Sequence, residues 1–516
     1  MSASGRRTDT VGAASGLAAP ILVVTFMVTV TAAWIYANPP GYTPDEPAHY
    51  TKALGVGRGD WVGKRGQYPV GPGFGPPQLE WINKAARVVV LPAHMAPDFF
   101  ACSIFQPHES AACLYTAADP PAEPAPRLTY VGSYEPFLYL PSGLVMAQAD
   151  DALTALALGR TVSGGIALAL LVLTVSVLWH PGAGGLALVG LFAAVTPMVL
   201  FLASGLAPSG PELAGAICVT AVVWRLGRAE PPSRLVWVAL AAGGAVLALS
   251  RSTGPFFLAA NVAIALLHVG PRRAARVIAG GGRLAAAALA VVVVAVAANV
   301  AWGAAVHSRP EVDLASVLSW VGPSFREVPE VLRQDVGQFG WADVSMPRVA
   351  YAAWAVLAVG LLVVGLAVAR RRERLVLLTV VGGCLVGTVA LAAGVIHQTH
   401  FPMYGRYALP LWVTVPIGAG EAMLANRTRL AAGLSRAVVT GAAVVAGAVH
   451  FVAFWANARR YAVGNNGPVF FLGRSEWSPP GGWKVWVLLV AVGVLCLMLS
   501  PLVARYEVPG PVREST

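Results

Sequence analysis

The chain contains many uninterrupted apolar runs, and these reach the roughly 20 residues that an α-helix needs to cross a bilayer. Lipid offers no hydrogen-bonding partner to a backbone N–H or C=O group, so such runs have to be helical. Charged residues make up only 12% of the 516 residues, against about 25% in soluble domains. The sequence therefore predicts an all-α polytopic membrane protein. Twelve spans are expected, near 17–37, 161–179, 184–204, 211–226, 235–250, 254–270, 284–304, 349–369, 375–396, 407–424, 434–455 and 483–503.

The short connectors between these spans alternate in charge. By the positive-inside rule the arginine-rich ones face the cytoplasm. The net charge of +11 is concentrated on that side, so it indicates topology, and no nucleic-acid partner is expected. Both termini, 1–16 and 504–516, are then cytoplasmic. Residues 17–503 form the membrane domain of a multi-pass protein of the plasma membrane, and the first span is expected to remain uncleaved. The basic connectors hold Arg225, Arg228 and Arg234; Arg272, Arg273, Arg276 and Arg283; Arg370, Arg371, Arg372 and Arg374; and Arg427, Arg429 and Arg436.

With this topology the polar segments 38–160, 305–348, 397–406 and 456–482 all lie outside the cytoplasm. Short surface-lying helices are expected after Pro44 and after Pro76. The stretch 134–158 is apolar, but Asp150 and Asp151 interrupt it, and a span there would invert every later connector. It is expected to be a helix lying in the outer membrane interface.

Two cysteines of the first outer segment, Cys102 and Cys113, could form a disulfide if that segment lies outside the cytoplasm. The nearby His94 and His108 also allow a zinc site, although the spacing matches no standard one.

The acidic pair Asp45-Glu46 follows the first span almost directly. A carboxylate cluster at the mouth of a membrane domain is costly unless water, substrate or a cation satisfies it. His49 and Lys52 follow at helical spacing, which places an acid, a base and a cation on neighbouring faces of one turn. A divalent metal could be held by Asp45, Glu46 and His49. The alternative is structural, because Asp45 behind Pro44 also fits a helix N-cap.

A second candidate stretch lies at the outer end of a later span. Arg406, next to a glycine and flanked by Tyr404 and Tyr407, could bind a phosphate through two parallel hydrogen bonds. Tyrosine and arginine are also ordinary anchors at membrane boundaries, and that interpretation stays open.

Other outer residues could contact a substrate. Trp341 and Asp343, in a glycine-containing loop, suit a sugar face and its hydroxyl groups. Arg251 lies at a short outer turn, and Arg460 lies beside the last outer segment, where arginines commonly contact lipid headgroups.

These stretches, taken in their order along the chain, resemble an uncharacterised bacterial family of multispanning membrane proteins (DUF2142). That family is grouped by fold with the GT-C glycosyltransferases, such as protein mannosyltransferases. The resemblance covers nearly the whole chain. It implies a GT-C-like bundle with a long first outer loop that carries interfacial helices. It also implies that Asp45, with Glu46 beside it, is the catalytic base or organises the site. Two positions depart from the family pattern: Tyr404, where glutamine or a similar polar residue is usual, and Ser209, where an acid or amide is common.

The resemblance implies a membrane glycosyltransferase that moves a sugar from a polyprenyl phosphate donor to a hydroxyl of a cell-envelope glycan, lipid or protein. Asp45, or Glu46 as the second choice, would accept the proton of the acceptor hydroxyl. Arg406, or alternatively Arg251 or Arg460, would stabilise the leaving phosphate. A single displacement would invert the anomeric centre. Two alternatives remain: a transporter or lipid-linked sugar flippase, and a non-catalytic scaffold. Apart from the possible metal, no cofactor is implied.

Overall fold

The computed structural model describes residues 16–69, 75–116, 123–307 and 313–504, so most of both predicted cytoplasmic termini, 1–16 and 504–516, lies outside the described residues. The described chain is predominantly helical. Its α-helices are Ala18–Tyr36, Glu46–Gly57, Pro76–Ala85, Tyr139–Met146, Ala152–Leu178, Leu186–Ala194, Pro197–Ala203, Ser209–Arg225, Arg234–Ser250, Gly254–His268, Pro271–Val306, Leu314–Ser319, Val321–Val336, Arg348–Val368, Arg371–Thr399, Leu409–Trp412, Thr414–Ala425, Ala432–Val463 and Trp483–Val503.

Every predicted span coincides with helix, which confirms the polytopic helical architecture. Among the described residues, seven helices are individually long and apolar enough to cross a membrane, or eight if the bent pair Leu186–Ala194 and Pro197–Ala203 is one span. That pair is bent by 68°. The predicted spans at 211–226, 235–250 and 254–270 coincide with helices of 15 to 17 residues. The span at 407–424 is divided between two short helices.

The helices form one apolar bundle in which the first span packs against the last. Close approach between helices depends on small residues, as is usual in membranes. A Cβ atom on Gly190 would lie 2.3 Å from the carbonyl oxygen of Pro416. Any larger residue at position 190 would therefore separate the helix Leu186–Ala194 from the helix Thr414–Ala425.

The four basic connectors meet at one end of this bundle. Arg228 donates to both carboxylate oxygens of Glu421, at 2.9 and 2.5 Å. Arg273 donates to the carbonyl oxygen of Gly227 at 3.1 Å, and Arg429 to that of Val368 at 3.1 Å. The helix Arg234–Ser250 runs from this end to the opposite one, where the predicted outer segments gather.

The predicted first outer segment folds over that opposite end. The helices Glu46–Gly57 and Pro76–Ala85 begin where the prolines predicted them. A small antiparallel sheet joins Lys64–Arg65, Arg87–Leu91 and Ala125–Thr129 in that order. The later outer segment adds a hairpin of Gln338–Phe339 and Val344–Ser345.

The prediction of a single interfacial helix over 134–158 is wrong. The structure has a short helix, Tyr139–Met146, and then the long helix Ala152–Leu178. Asp151 caps the second helix by accepting hydrogen bonds from the backbone N–H groups of Leu153 and Thr154, at 2.8 and 2.9 Å. The acidic pair therefore marks the start of a span, because an N-cap carboxylate satisfies N–H groups that have no partner within the helix.

Candidate functional site

A large cavity of about 1650 Å³ opens at the end of the bundle opposite the basic connectors. Its walls come from the turn before the helix Glu46–Gly57, from the connector at 251–253 and from the segment 395–407. Six of the ten residues predicted for catalysis or substrate binding line it. They are Asp45, Arg251, Trp341, Tyr404, Arg406 and Tyr407.

Asp45 stands immediately before the helix Glu46–Gly57, but its side chain does not cap that helix. Its backbone is left-handed, with φ +65°, and its carboxylate is 30% exposed. Oδ1 accepts a hydrogen bond from the hydroxyl of Tyr130 at 2.8 Å, and Oδ2 accepts one from Arg406 at 3.3 Å. The structural interpretation of Asp45 as a side-chain N-cap is therefore wrong, since this carboxylate faces the cavity.

Arg406 and Arg251 converge on the same aromatic ring. Their guanidinium carbons lie 5.0 and 5.5 Å from the ring centroid of Tyr407. Arg406 also lies 4.7 Å from the ring centroid of Tyr404, and the Arg251 Nε atom lies 3.8 Å from the Glu212 carboxylate. That Nε–H group is buried and has no hydrogen-bond partner. Arg251 lines the cavity, so its positive charge, like that of Arg406, can attract an anion there.

Gly405 explains how Arg406 reaches this position. A Cβ atom at residue 405 would lie 2.5 Å from the carbonyl oxygen of Val331 and 2.8 Å from the backbone nitrogen of Asp335. The Gly405 N–H group donates to Gln334 at 2.9 Å. The glycine thus lets the segment press against the helix Val321–Val336, which holds the following arginine over the cavity.

Glu46 does not line the cavity, although it neighbours Asp45 in sequence. It is fully buried and accepts two hydrogen bonds from Arg160, at 2.8 and 2.5 Å. The backbone N–H groups of Gly41 and Leu206 donate to it as well, at 2.9 and 3.2 Å. With both oxygens occupied and water excluded, the geometry assigns Glu46 to the support of the site, in contrast to the predicted second choice of base.

His49 is also turned away from the cavity. Its Nδ1 atom lies 2.6 Å from the Tyr139 hydroxyl, and the two rings stack with centroids 5.8 Å apart. Burial lowers the pKa of His49 to about 3, so the imidazole is neutral at ordinary pH. The ammonium group of Lys52 is also turned away from the cavity and donates hydrogen bonds to the carbonyl oxygens of Trp61 and Gly132.

The metal set suggested by sequence does not fit. Glu46 has both oxygens engaged, and the Nδ1 atom of His49 is bonded to Tyr139, so these two do not converge with Asp45. Within the described parts of the chain, no group of three or more His, Cys, Asp and Glu side chains could hold a metal ion.

Trp341 faces the cavity, whereas its predicted companion Asp343 does not. Asp343 accepts a hydrogen bond from Arg460 at 2.9 Å, and Arg460 is 1% exposed and also donates to the carbonyl oxygens of Ser103 and Glu109. Arg460 is therefore buried between the predicted outer segments and does not line the cavity, contrary to the sequence interpretation. The expected partners Cys102 and Cys113 form a disulfide in the same region.

Tyr130 and Glu135 are cavity residues that the sequence did not single out. Tyr130 donates to Asp45, and burial, followed by the nearby Asp45 charge, raises the pKa of Tyr130 well above its ordinary value, so it stays protonated. Glu135 has one carboxylate oxygen buried without a partner, and burial raises the pKa of Glu135 as well. The sequence did contain a sign of Glu135, because an acidic residue among aromatic residues in an apolar stretch is unusual. Nothing in the sequence marked Tyr130.

Backbone strain is concentrated around this cavity. Among the residues that the structure describes, the non-glycine residues with positive φ are Asp45, Phe105, Ala342 and His400. All of them line the cavity. Strained conformations of this kind cost about 1–3 kcal/mol each and cluster at functional sites. The distribution supports the cavity as the functional site.

The family model described as "Predicted membrane protein (DUF2142)" matches residues 28–415. The chain belongs to this family. The part matched by DUF2142 includes Asp45, Arg251, Trp341, Arg406 and Tyr407, so the cavity residues lie within the family domain. The chain is similar to the solved structure "Crystal Structure of ArnT from Cupriavidus metallidurans in the apo state". The match covers 94% of this chain and 75% of that chain, with a TM-score of 0.40 and 15% sequence identity. No curated protein matches the sequence.

Proposed function

We propose that this DUF2142 protein is a membrane glycosyltransferase that moves a sugar from a polyprenyl phosphate donor to an acceptor hydroxyl on the outer face of the membrane. One observation carries the proposal: a partly exposed carboxylate, Asp45, and the guanidinium of Arg406 meet in the wall of a cavity large enough for two substrates. Such a pair supplies a base for the attacking hydroxyl and a cation for the leaving phosphate.

The cavity also has a flank suited to a lipid tail. Phe257, Leu391 and Val395 line it, on the helices Gly254–His268 and Arg371–Thr399, which pack against each other. Apolar side chains beside two arginines match a molecule with a hydrocarbon chain and a phosphate headgroup. The tail would lie along this flank while the phosphate reaches Arg251 and Arg406.

In the proposed reaction the acceptor oxygen attacks the anomeric carbon of the donor sugar. The bond between that carbon and the phosphate oxygen breaks as the new glycosidic bond forms, so the anomeric centre is inverted. Asp45 takes the hydroxyl proton. The polyprenyl phosphate departs with the bonding electron pair, and its increased negative charge is stabilised by the guanidinium groups of Arg406 and Arg251.

Tyr130 and Arg406 hold Asp45 in the resting state, and the proposed reaction requires only Arg406 to release it. When a phosphate arrives, Arg406 gains a second anionic partner. Tyr130 still donates to Oδ1, which leaves Oδ2 directed toward the cavity for the acceptor proton. Asp45 is therefore the proposed base, and Glu46 is a positioning residue that anchors the turn through Arg160.

The decisive experiment is a transfer assay with purified protein, labelled polyprenyl phosphate sugars and envelope membranes. Asp45→Asn should lower transfer by about 10²–10⁴-fold, the usual range for a general base. The matched control is Asp150→Asn, the same change at an exposed residue outside the cavity, which should transfer like wild type. Transfer retained by Asp45→Asn would refute the proposal. Movement of a labelled lipid or solute across the membrane without any transfer would indicate a transporter.

A further inference from the structure

An aromatic edge borders the cavity on the side of the first outer segment. Phe105 and Trp341 form it, with ring centroids 5.2 Å apart and an interplanar angle of 67°, and both line the cavity. We call this pair the aromatic shelf. The ring of Phe105 is 73% exposed, although a phenylalanine gains free energy from burial.

The shelf is held rigidly in place. Phe105 has φ +60° and the neighbour of Trp341, Ala342, has φ +66°; both conformations are strained for residues with a side chain. The disulfide Cys102–Cys113 closes the loop that carries Phe105. Arg460 donates to the carbonyl oxygen of Ser103 in the same loop at 2.9 Å. Such restraint keeps an exposed ring oriented, which lowers the entropy that a ligand must remove.

The shelf adjoins the proposed base. The indole N–H of Trp341 donates to the carbonyl oxygen of Gly41 at 2.8 Å, and the N–H group of Gly41 donates to Glu46 at 2.9 Å. Trp341 is thus bonded to the turn that ends in Asp45. A molecule lying on the shelf would present its groups to the same cavity that the carboxylate faces.

Polar groups suited to hydroxyls line the same cavity. Arg127 and Asp98 form a pair at 2.5 Å, and both line the cavity. The Nε–H group of Arg127 is buried without a hydrogen-bond partner, whereas the Asp98 side chain is 58% exposed. The accessible Asp98 carboxylate can accept hydrogen bonds from hydroxyl groups, and an arginine has further N–H donors on its two terminal nitrogens that can donate to them.

We infer that the acceptor is a glycan, and that one of its sugar rings lies on the Phe105–Trp341 shelf with its hydroxyls at Asp98 and Arg127. Sugar rings combine apolar C–H faces with hydroxyl edges, and the shelf offers partners for both. A hydrocarbon chain would use only the rings, and a peptide has no single face that combines apolar C–H groups with an edge of hydroxyls. This inference rests on the proposed function, since it names the acceptor of that reaction.

The test measures binding of oligosaccharides released from the cell envelope of the source organism, by the change in tryptophan fluorescence of the purified protein. Phe105→Ala should weaken this binding by about tenfold or more, while Phe105→Tyr, which keeps the ring, should bind like wild type. The matched control is Phe470→Ala, which removes an 80%-exposed ring outside the cavity and should not change binding. Polyprenyl phosphate binding should be unaffected in all three variants, which shows that they are folded.

The two proposals fail in different ways. Equal glycan binding by wild type and Phe105→Ala would overturn the shelf, as would transfer of sugar to a lipid or protein without any binding of the released oligosaccharides. Glycan binding that depends on Phe105, without transfer from any polyprenyl phosphate sugar, would support the shelf and overturn the glycosyltransferase.

Discussion

Asp45 and Arg406 are 361 positions apart in sequence, yet Nη2 of Arg406 lies 3.3 Å from Oδ2 of Asp45. Asp45 is held there by a left-handed backbone before a surface helix, and Arg406 by a glycine that packs on another helix. The pair thus connects the first outer segment with the end of a late span. Its two members carry opposite charges at the wall of one cavity, where substrate could replace either partner.

The first prediction concerns Arg406 as a phosphate-binding residue. Arg406→Gln should weaken polyprenyl phosphate binding by about tenfold or more, because a hydrogen bond to a charged group contributes about 1.5–3 kcal/mol. Arg406→Lys should lose less, since it keeps the charge but loses the planar donor geometry. Binding of a short-chain polyprenyl phosphate to purified protein measures both. The control is Arg58→Gln, at an exposed residue outside the cavity. Equal binding by Arg406→Gln and wild type would remove Arg406 from the donor site.

The second prediction separates Glu46 from Asp45. Glu46→Gln leaves the buried Arg160 without its charged partner and should lower the free energy of unfolding by about 3–5 kcal/mol, the usual cost of breaking a buried pair. Glu80→Gln removes an exposed partner of Lys84 and should cost no more than about 1 kcal/mol. Thermal unfolding in detergent measures both variants.

The same pair allows a coupling test. Glu46→Gln and Arg160→Met together should cost less than the sum of the two single changes, because the second change removes the charge that the first leaves unpaired. If Glu46→Gln were as stable as wild type but had lost sugar transfer, Glu46 would again be a candidate for the general base.

The third prediction is a pH dependence of stability. The pKa of His49 is about 3 in the folded protein, against 6.5 for an ordinary histidine. Between these values the unfolded chain binds the proton and the folded one does not, so stability falls as pH drops through this window, by at most about 1.4 kcal/mol per pH unit.

The comparison of two histidine variants isolates this effect. The melting temperature of His49→Gln should depend less on pH than that of wild type between about pH 6.5 and 4.5. His94→Gln, at an exposed position, should retain the wild-type dependence. Identical slopes for His49→Gln and wild type would show that this imidazole is not the buried, neutral group.

The helices were accessible to sequence reasoning because each apolar run has to satisfy its own backbone in lipid. The sequence could not show that Asp45 faces the cavity while Glu46 is buried. Adjacent carboxylates look alike in sequence, and which one faces solvent depends on the φ angle of Asp45 and on Arg160, a residue 114 positions beyond Glu46. The same holds for Trp341 and Asp343. Both belong to one short motif, yet the hairpin turns one to the cavity and the other to Arg460.

Asp150 and Asp151 illustrate a different failure. Their charge suggested an interruption of an apolar helix, whereas an aspartate at a helix start satisfies the free N–H groups of the first turn. Tyr130 shows the limit most clearly, because it follows a short strand and reaches Asp45 only through the tertiary fold.

The most direct test of this assignment of the site is the position of the phosphate in a structure of the protein bound to a polyprenyl phosphate. We expect the phosphate within hydrogen-bonding distance of the Arg406 guanidinium and next to that of Arg251, with the lipid tail along Phe257, Leu391 and Val395 and with Asp45 facing the anomeric position. A phosphate bound at the opposite end of the bundle, among the basic connectors around Arg228, would contradict it.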